Sequence, residues 1–72
     1  MDMLVESRGY RRCKIIIDNL KLTGKDEFTK IEIRNVIAKR IGLSKLTQDR
    51  YFFALLKFKF IIKLENENYG IA

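Results

Sequence analysis

The segment IAKRIGLSKLTQDRYFFALL, Ile37 to Leu56, decides how this chain reads. Apolar residues at helical spacing run up to Ile41, Gly42-Leu43-Ser44 interrupts them, and a second helical pattern opens with Lys45, Thr47, Gln48, Asp49 and Arg50 crowded into its first turns. One helix is broken and the next begins with hydrogen-bonding side chains. Gly42 sets no side chain against a sharp reversal, Leu43 is expected to drop back into the angle between the two helices, and Ser44 is placed to cap the second. That helix is expected to reach Phe58, with Tyr51, Phe52, Leu55 and Phe58 facing the core.

The pattern extends in both directions from this turn. Upstream, Thr29-Lys30-Ile31-Glu32 has the Thr-x-x-Glu spacing in which two side chains satisfy each other's unpaired helix amides. A helix is expected to start there, with Ile33, Val36, Ile37 and Ile41 on its apolar face. Thr23-Gly24-Lys25-Asp26 closes an earlier amphipathic helix over residues 7–22, whose stripe is Tyr10, Cys13, Ile16, Ile17 and Leu20. Phe28 stands alone as an apolar residue in the connection. Downstream, Phe60 to Leu64 and Tyr69 to Ala72 flank Glu65-Asn66-Glu67-Asn68, which reads as a hairpin over residues 60–72. The expected fold is one mainly α domain over residues 1–72, three helices with a small β-hairpin, and a frayed N-terminus over residues 1–6.

Composition limits what such a domain does. A chain of 72 residues buries one modest core and leaves little interior for a deep catalytic cleft, so function is expected on the surface. Lys and Arg number 15 against 9 Asp and Glu, with no His, for a net charge of +6. A polyanionic partner fits that balance better than a small neutral substrate, although charge also serves solubility. Cys13 is the only cysteine, which excludes an internal disulfide and a cysteine zinc cluster, and its place on an apolar stripe reads as core. Without His or a Gly-rich phosphate loop, the usual nucleophile-base pairs, metal clusters and nucleotide cradles are missing, so no enzyme, metal or cofactor is expected. The apolar runs fall short of the roughly 20 residues of a membrane span. Met1 to Glu6 is too acidic for a signal peptide, and a reducing, cytoplasmic setting is expected.

Three helices and a hairpin, with a tight Gly-centred turn between the second and third helices, resemble the winged helix-turn-helix domains of archaeal, bacterial and viral DNA-binding proteins. The resemblance spans residues 28–72 and is strongest over VIAKRIGLSKLTQDRY, where Ala38, Gly42, Leu43 and Ser44 match the small residue, turn glycine, following apolar residue and helix-opening serine of that family. It implies double-stranded DNA as partner and helix three in the major groove, as in a small transcriptional regulator. Lys45 and Arg50 would then donate to guanine or phosphate, Gln48 would pair with adenine, Thr47 would touch a base edge or thymine methyl, and Asp49 would accept from cytosine. Ser44, Thr29, Lys30 and Arg34 would hold phosphates. Two departures stand out. Gln48 lies where the family has a buried aliphatic residue, so it is either a base reader or a helix-helix hydrogen bonder. Glu65 and Glu67 flank the tip of the wing, leaving Lys63, Asn66 and Asn68 to approach DNA and making the wing a weak contributor.

Phe53, Leu56 and Phe60 form a third candidate feature. If Phe52 and Leu55 face the core, these residues point elsewhere. They are expected to form a homodimer interface that supplies two reading helices, unless helix one or the N-terminal residues cover them. Two other functions remain open on the sequence: a winged-helix interaction module docking a larger protein through Phe53 and Leu56, and a sequence-independent DNA-coating protein.

Overall fold

The computed structural model describes residues 8–72; the fraying expected over residues 1–6 lies outside the described residues. Helix α1 (Arg8–Lys21) buries Cys13, Ile16, Ile17 and Leu20, four residues of the stripe that the sequence spacing marks, and leaves the fifth, Tyr10, half-buried. It stops where the Thr23 hydroxyl donates to the Leu20 carbonyl at 2.7 Å and the Gly24 amide donates to the Lys21 carbonyl at 3.1 Å. Gly24 takes a φ of +76° there, a left-handed turn that a side chain disfavours.

A two-residue strand, β1 (Glu27–Phe28), leads into α2 (Lys30–Arg40). The Thr-x-x-Glu box that opens α2 is formed in both directions: the Glu32 amide donates to Thr29 Oγ1 at 3.1 Å, and the Thr29 amide donates to Glu32 Oε1 at 2.8 Å. Helix α3 (Lys45–Lys57) follows, then β2 (Ile61–Lys63) and β3 (Tyr69–Ile71). The hairpin expected over residues 60–72 is therefore present, but β3 sits in the middle of a three-stranded antiparallel sheet ordered β1-β3-β2. Phe28 lies opposite Tyr69, and Ile62 lies opposite Gly70.

Strand β1 corrects the expectation that Phe28 stands alone. Two residues are too few to show alternation, and tertiary contacts recruit them. Phe28 is buried in the core, while Glu27 Oε1 accepts from Asn66 Nδ2 at 2.8 Å and Asn68 Nδ2 at 3.2 Å. A further correction concerns Phe58, which is 45% exposed rather than core. Helix α3 ends one residue too early for Phe58 to join the Phe52 and Leu55 stripe. The Phe60 amide donates to the Leu55 carbonyl at 2.9 Å and the Lys59 amide to the Leu56 carbonyl at 3.1 Å. Lys59 supplies the left-handed residue at φ 62°, a Schellman closure without the usual glycine. Phe58 packs instead edge-on against Tyr10, ring centroids 5.6 Å apart.

The core lies where α1, α2 and α3 meet the sheet. It comprises the four buried α1 residues together with Phe28, Ile33, Ile37, Phe52, Leu55, Ile61 and Tyr69. Phe52 and Tyr69 meet edge to face at 5.1 Å, tying α3 to the central strand. Phe28 is the sole contribution of β1 to this cluster. Phe28→Ala is expected to lower unfolding free energy by about 3–5 kcal/mol, on the order of the whole stability of a domain this small. Urea unfolding followed by circular dichroism checks it, and an unchanged midpoint would place Phe28 outside the cooperative core.

Candidate nucleic-acid interface

Two backbone bonds close α2, from the amides of Ile41 at 2.8 Å and Gly42 at 3.1 Å, both to the Ile37 carbonyl. Ser44 then caps α3 by accepting from the Thr47 amide at 3.0 Å, and its hydroxyl donates to Thr47 Oγ1 at 2.9 Å. Gln48 Nε2 reaches back to the Leu43 carbonyl at 2.8 Å. The turn is thus closed by the side chains that follow it. Gly42 is favoured at the turn for a different reason than expected. A Cβ there would meet Thr47 Cγ2 at 3.2 Å, so the constraint is the close approach of Thr47 and not a left-handed backbone. Leu43 does not plug the helix angle either. It is 80% exposed, and the half-buried Ile41 packs against the core instead.

These bonds divide the expected base-reading residues. Thr47 and Gln48 are half-buried and engaged within the turn, so Gln48 acts as a brace between the turn and α3. Asp49 pairs with Arg34 of α2. Hydrogen bonding from the Arg34 guanidinium, aided by the charges of Lys45 and Lys30, holds the Asp49 carboxyl below its ordinary value. That carboxylate is occupied by a cation and is not poised to accept from a base. Conversely, Lys30, Arg34 and Lys45 converge on one acidic group and form a net cationic cluster where α2 meets α3. Lys30 also lies 5.3 Å over the Phe52 ring. Thr29 is exposed, with its hydroxyl committed to the α2 cap. Lys45 and Arg50 are exposed, and among the described residues neither forms a salt bridge.

The hairpin turn is held away from such a role. Lys63 pairs with Glu67 at 3.1 Å, which raises its pKa above the ordinary lysine value. Asn66 and Asn68 bind Glu27 and keep its carboxyl below the usual range. The sequence places Glu65 and Glu67 on the same tip, so its charge repels phosphate.

The apolar candidates also separate. Leu56 and Phe60 are half-buried against the core, the Phe60 ring lying tilted against Tyr10 with centroids 5.2 Å apart. The contiguous exposed patch expected from Phe53, Leu56 and Phe60 is therefore reduced to Phe53, which is 68% exposed. Helix α1 accounts for the difference by covering Phe60. Sequence reasoning missed Leu46, 67% exposed. The signal was present in its spacing, because Leu46, Arg50, Phe53 and Lys57 lie along one face of α3, opposite Phe52 and Leu55.

Among the described residues, no group of three or more His, Cys, Asp or Glu is placed to hold a metal ion, and no helix is long and apolar enough to cross a membrane. A surface groove lined by Lys14, Ile17, Lys21, Lys59 and Phe60 lies apart from the α2–α3 turn. No protein-family model, curated protein or solved structure matches this chain.

Burial pushes the Cys13 thiol up from 9.0 to about 11. The unfolded chain therefore releases that proton first, and the stability contributed by the neutral buried thiol is lost as pH rises from 9.0 through about 11. Native protein at neutral pH is expected to leave Ellman's reagent unreacted, with one thiol appearing on unfolding in urea. Rapid labelling of the native protein would show Cys13 to be accessible.

Proposed function

We propose that this chain is a double-stranded DNA-binding protein of the winged helix-turn-helix type, acting as a transcriptional regulator by occupancy. One observation carries the proposal: Lys45 and Arg50 stand exposed on the first turns of α3, and Lys45 joins Lys30 and Arg34 of α2 around Asp49. A helix of this kind enters a major groove about 12 Å wide and presents its N-terminal residues to the bases. Arg50 donates to guanine or phosphate. Lys45 and Lys30 neutralise phosphates and set the register on the duplex, while Arg34, held by Asp49, braces α2 against α3. The wing contributes little, because Glu67 occupies Lys63 and Glu27 ties down Asn66 and Asn68. Recognition rests on α3.

A second reading, a module that docks another protein, draws on the exposed Phe53. Phe53 shares its helix face with Leu46 and Arg50, so a homodimer built on it would cover that face and competes with the duplex-binding reading.

Substituting Lys45 and Arg50 together by Ala is expected to weaken duplex binding and to reduce the salt slope of log K by about 2, since each phosphate that a side chain neutralises adds about 0.9 to that slope. Asp49→Asn is expected to act in the opposite direction, since it removes a negative charge and releases Arg34. Fluorescence anisotropy with a labelled duplex between low and moderate salt measures both. Unaltered duplex binding by the double variant would contradict the role given to Lys45 and Arg50, and unaffected function in the double variant would favour the docking module.

A further inference from the structure

Three of the side chains expected to read bases, and Ser44, expected to hold phosphate, are engaged by hydrogen bonds within the protein: Ser44 and Thr47 with each other, Gln48 with the Leu43 carbonyl, and Asp49 with Arg34. What α3 offers outward at its beginning is Lys45, Arg50 and two leucines, Leu46 on the helix and Leu43 in the turn before it. A leucine side chain has no hydrogen bond to give. Among the groups on the major-groove edges of the four base pairs, the thymine C5-methyl is the one that rewards an apolar contact.

We propose that Leu46, supported by Leu43, recognises thymine methyl groups, so that this protein prefers duplexes with thymine at the positions facing the start of α3. The inference rests on the duplex-binding reading above. Charge complementarity selects this occupant over a second copy of the chain. Leu46 shares its helix face with Arg50, Phe53 and Lys57, and Lys45 adjoins it, so the exposed apolar residues of that face lie among three cations. A two-fold axis through that face would bring these cations towards their own symmetry mates, whereas the phosphates flanking a major groove neutralise them. Selectivity would then come from methyl contact and Arg50, with affinity from the cationic cluster. The expected discrimination is about fourfold for each methyl buried.

The test uses two duplexes that differ only in the methyl group: a thymine-rich duplex, and the same duplex with deoxyuridine in place of thymidine. A second pair, G·C-rich with cytosine or 5-methylcytosine, restores a methyl at the same ring position. The unaltered protein is expected to bind the thymine duplex at least fourfold more tightly than its uracil counterpart, and to gain affinity when cytosine is methylated. Leu46→Ala, at an exposed position and so with its folding intact by circular dichroism, is expected to abolish both differences, its affinity for the thymine duplex falling to that for the uracil duplex. Equal affinity for thymine and uracil duplexes, or a preference that survives in Leu46→Ala, overturns the inference and leaves duplex binding standing. Failure to bind any of the four duplexes at low salt removes the duplex-binding reading itself. A concentration-dependent dimer that Leu46→Ala disperses without DNA would assign the leucines to self-association.

Discussion

The surface chemistry of this molecule depends on the few hydrogen bonds that close the turn between α2 and α3. Ser44 caps the helix through the Thr47 amide, the Thr47 side chain packs tightly over Gly42, and Gln48 returns to the Leu43 carbonyl. An N-cap of this type is worth about 1 kcal/mol, and its importance here is geometric. It fixes the direction in which α3 leaves the turn and so decides which residues face inward. Phe52 and Leu55 are thereby committed to the core, and Leu46, Arg50 and Phe53 to the outside.

Charge follows the same division. Carboxylates collect at the β1 and hairpin end, where Glu27 holds two asparagines, Glu32 pairs with Lys25, and Glu67 pairs with Lys63. At the α2–α3 junction the single carboxylate, Asp49, is surrounded by Arg34, Lys45 and Lys30. Arg34 keeps only 18% of its side chain exposed in that pair, so it braces the two helices as well as adding charge. Surface ion pairs of this sort contribute little to stability. The Arg34–Asp49 pair instead fixes a guanidinium at the α2–α3 junction, which with Lys30 and Lys45 is left net cationic.

Much of the fold was legible in the chain because local chemistry and tertiary structure agree. The α1 stripe, the Thr29–Glu32 capping box, Gly24 at a left-handed turn and Ser44 as a cap all follow from spacing and residue type. Legibility ended where long-range contacts decide. Phe28 forms a strand only because β3 lies alongside it, and two residues leave no periodic trace. Phe58 leaves the core because α3 closes through Lys59, a residue that gives no turn signal. In the candidate interface, the residue types suggested hydrogen-bonding readers. A donor's availability depends on where its neighbours are, however, and Arg34 is fifteen positions from Asp49. The same limit applies to Leu43, whose apolar character suggested burial although the turn points it to solvent.

The central claim is that the outward start of α3 and the adjoining start of α2 form the surface that meets a duplex. Titrating isotope-labelled protein with a short duplex and following backbone amide resonances tests it most directly. The largest shifts are expected at Lys45, Leu46 and Arg50 and at Lys30 and Arg34, with the Leu64–Asn68 turn little affected. Shifts concentrated in that hairpin turn or along α1, with α3 unmoved, would contradict the account.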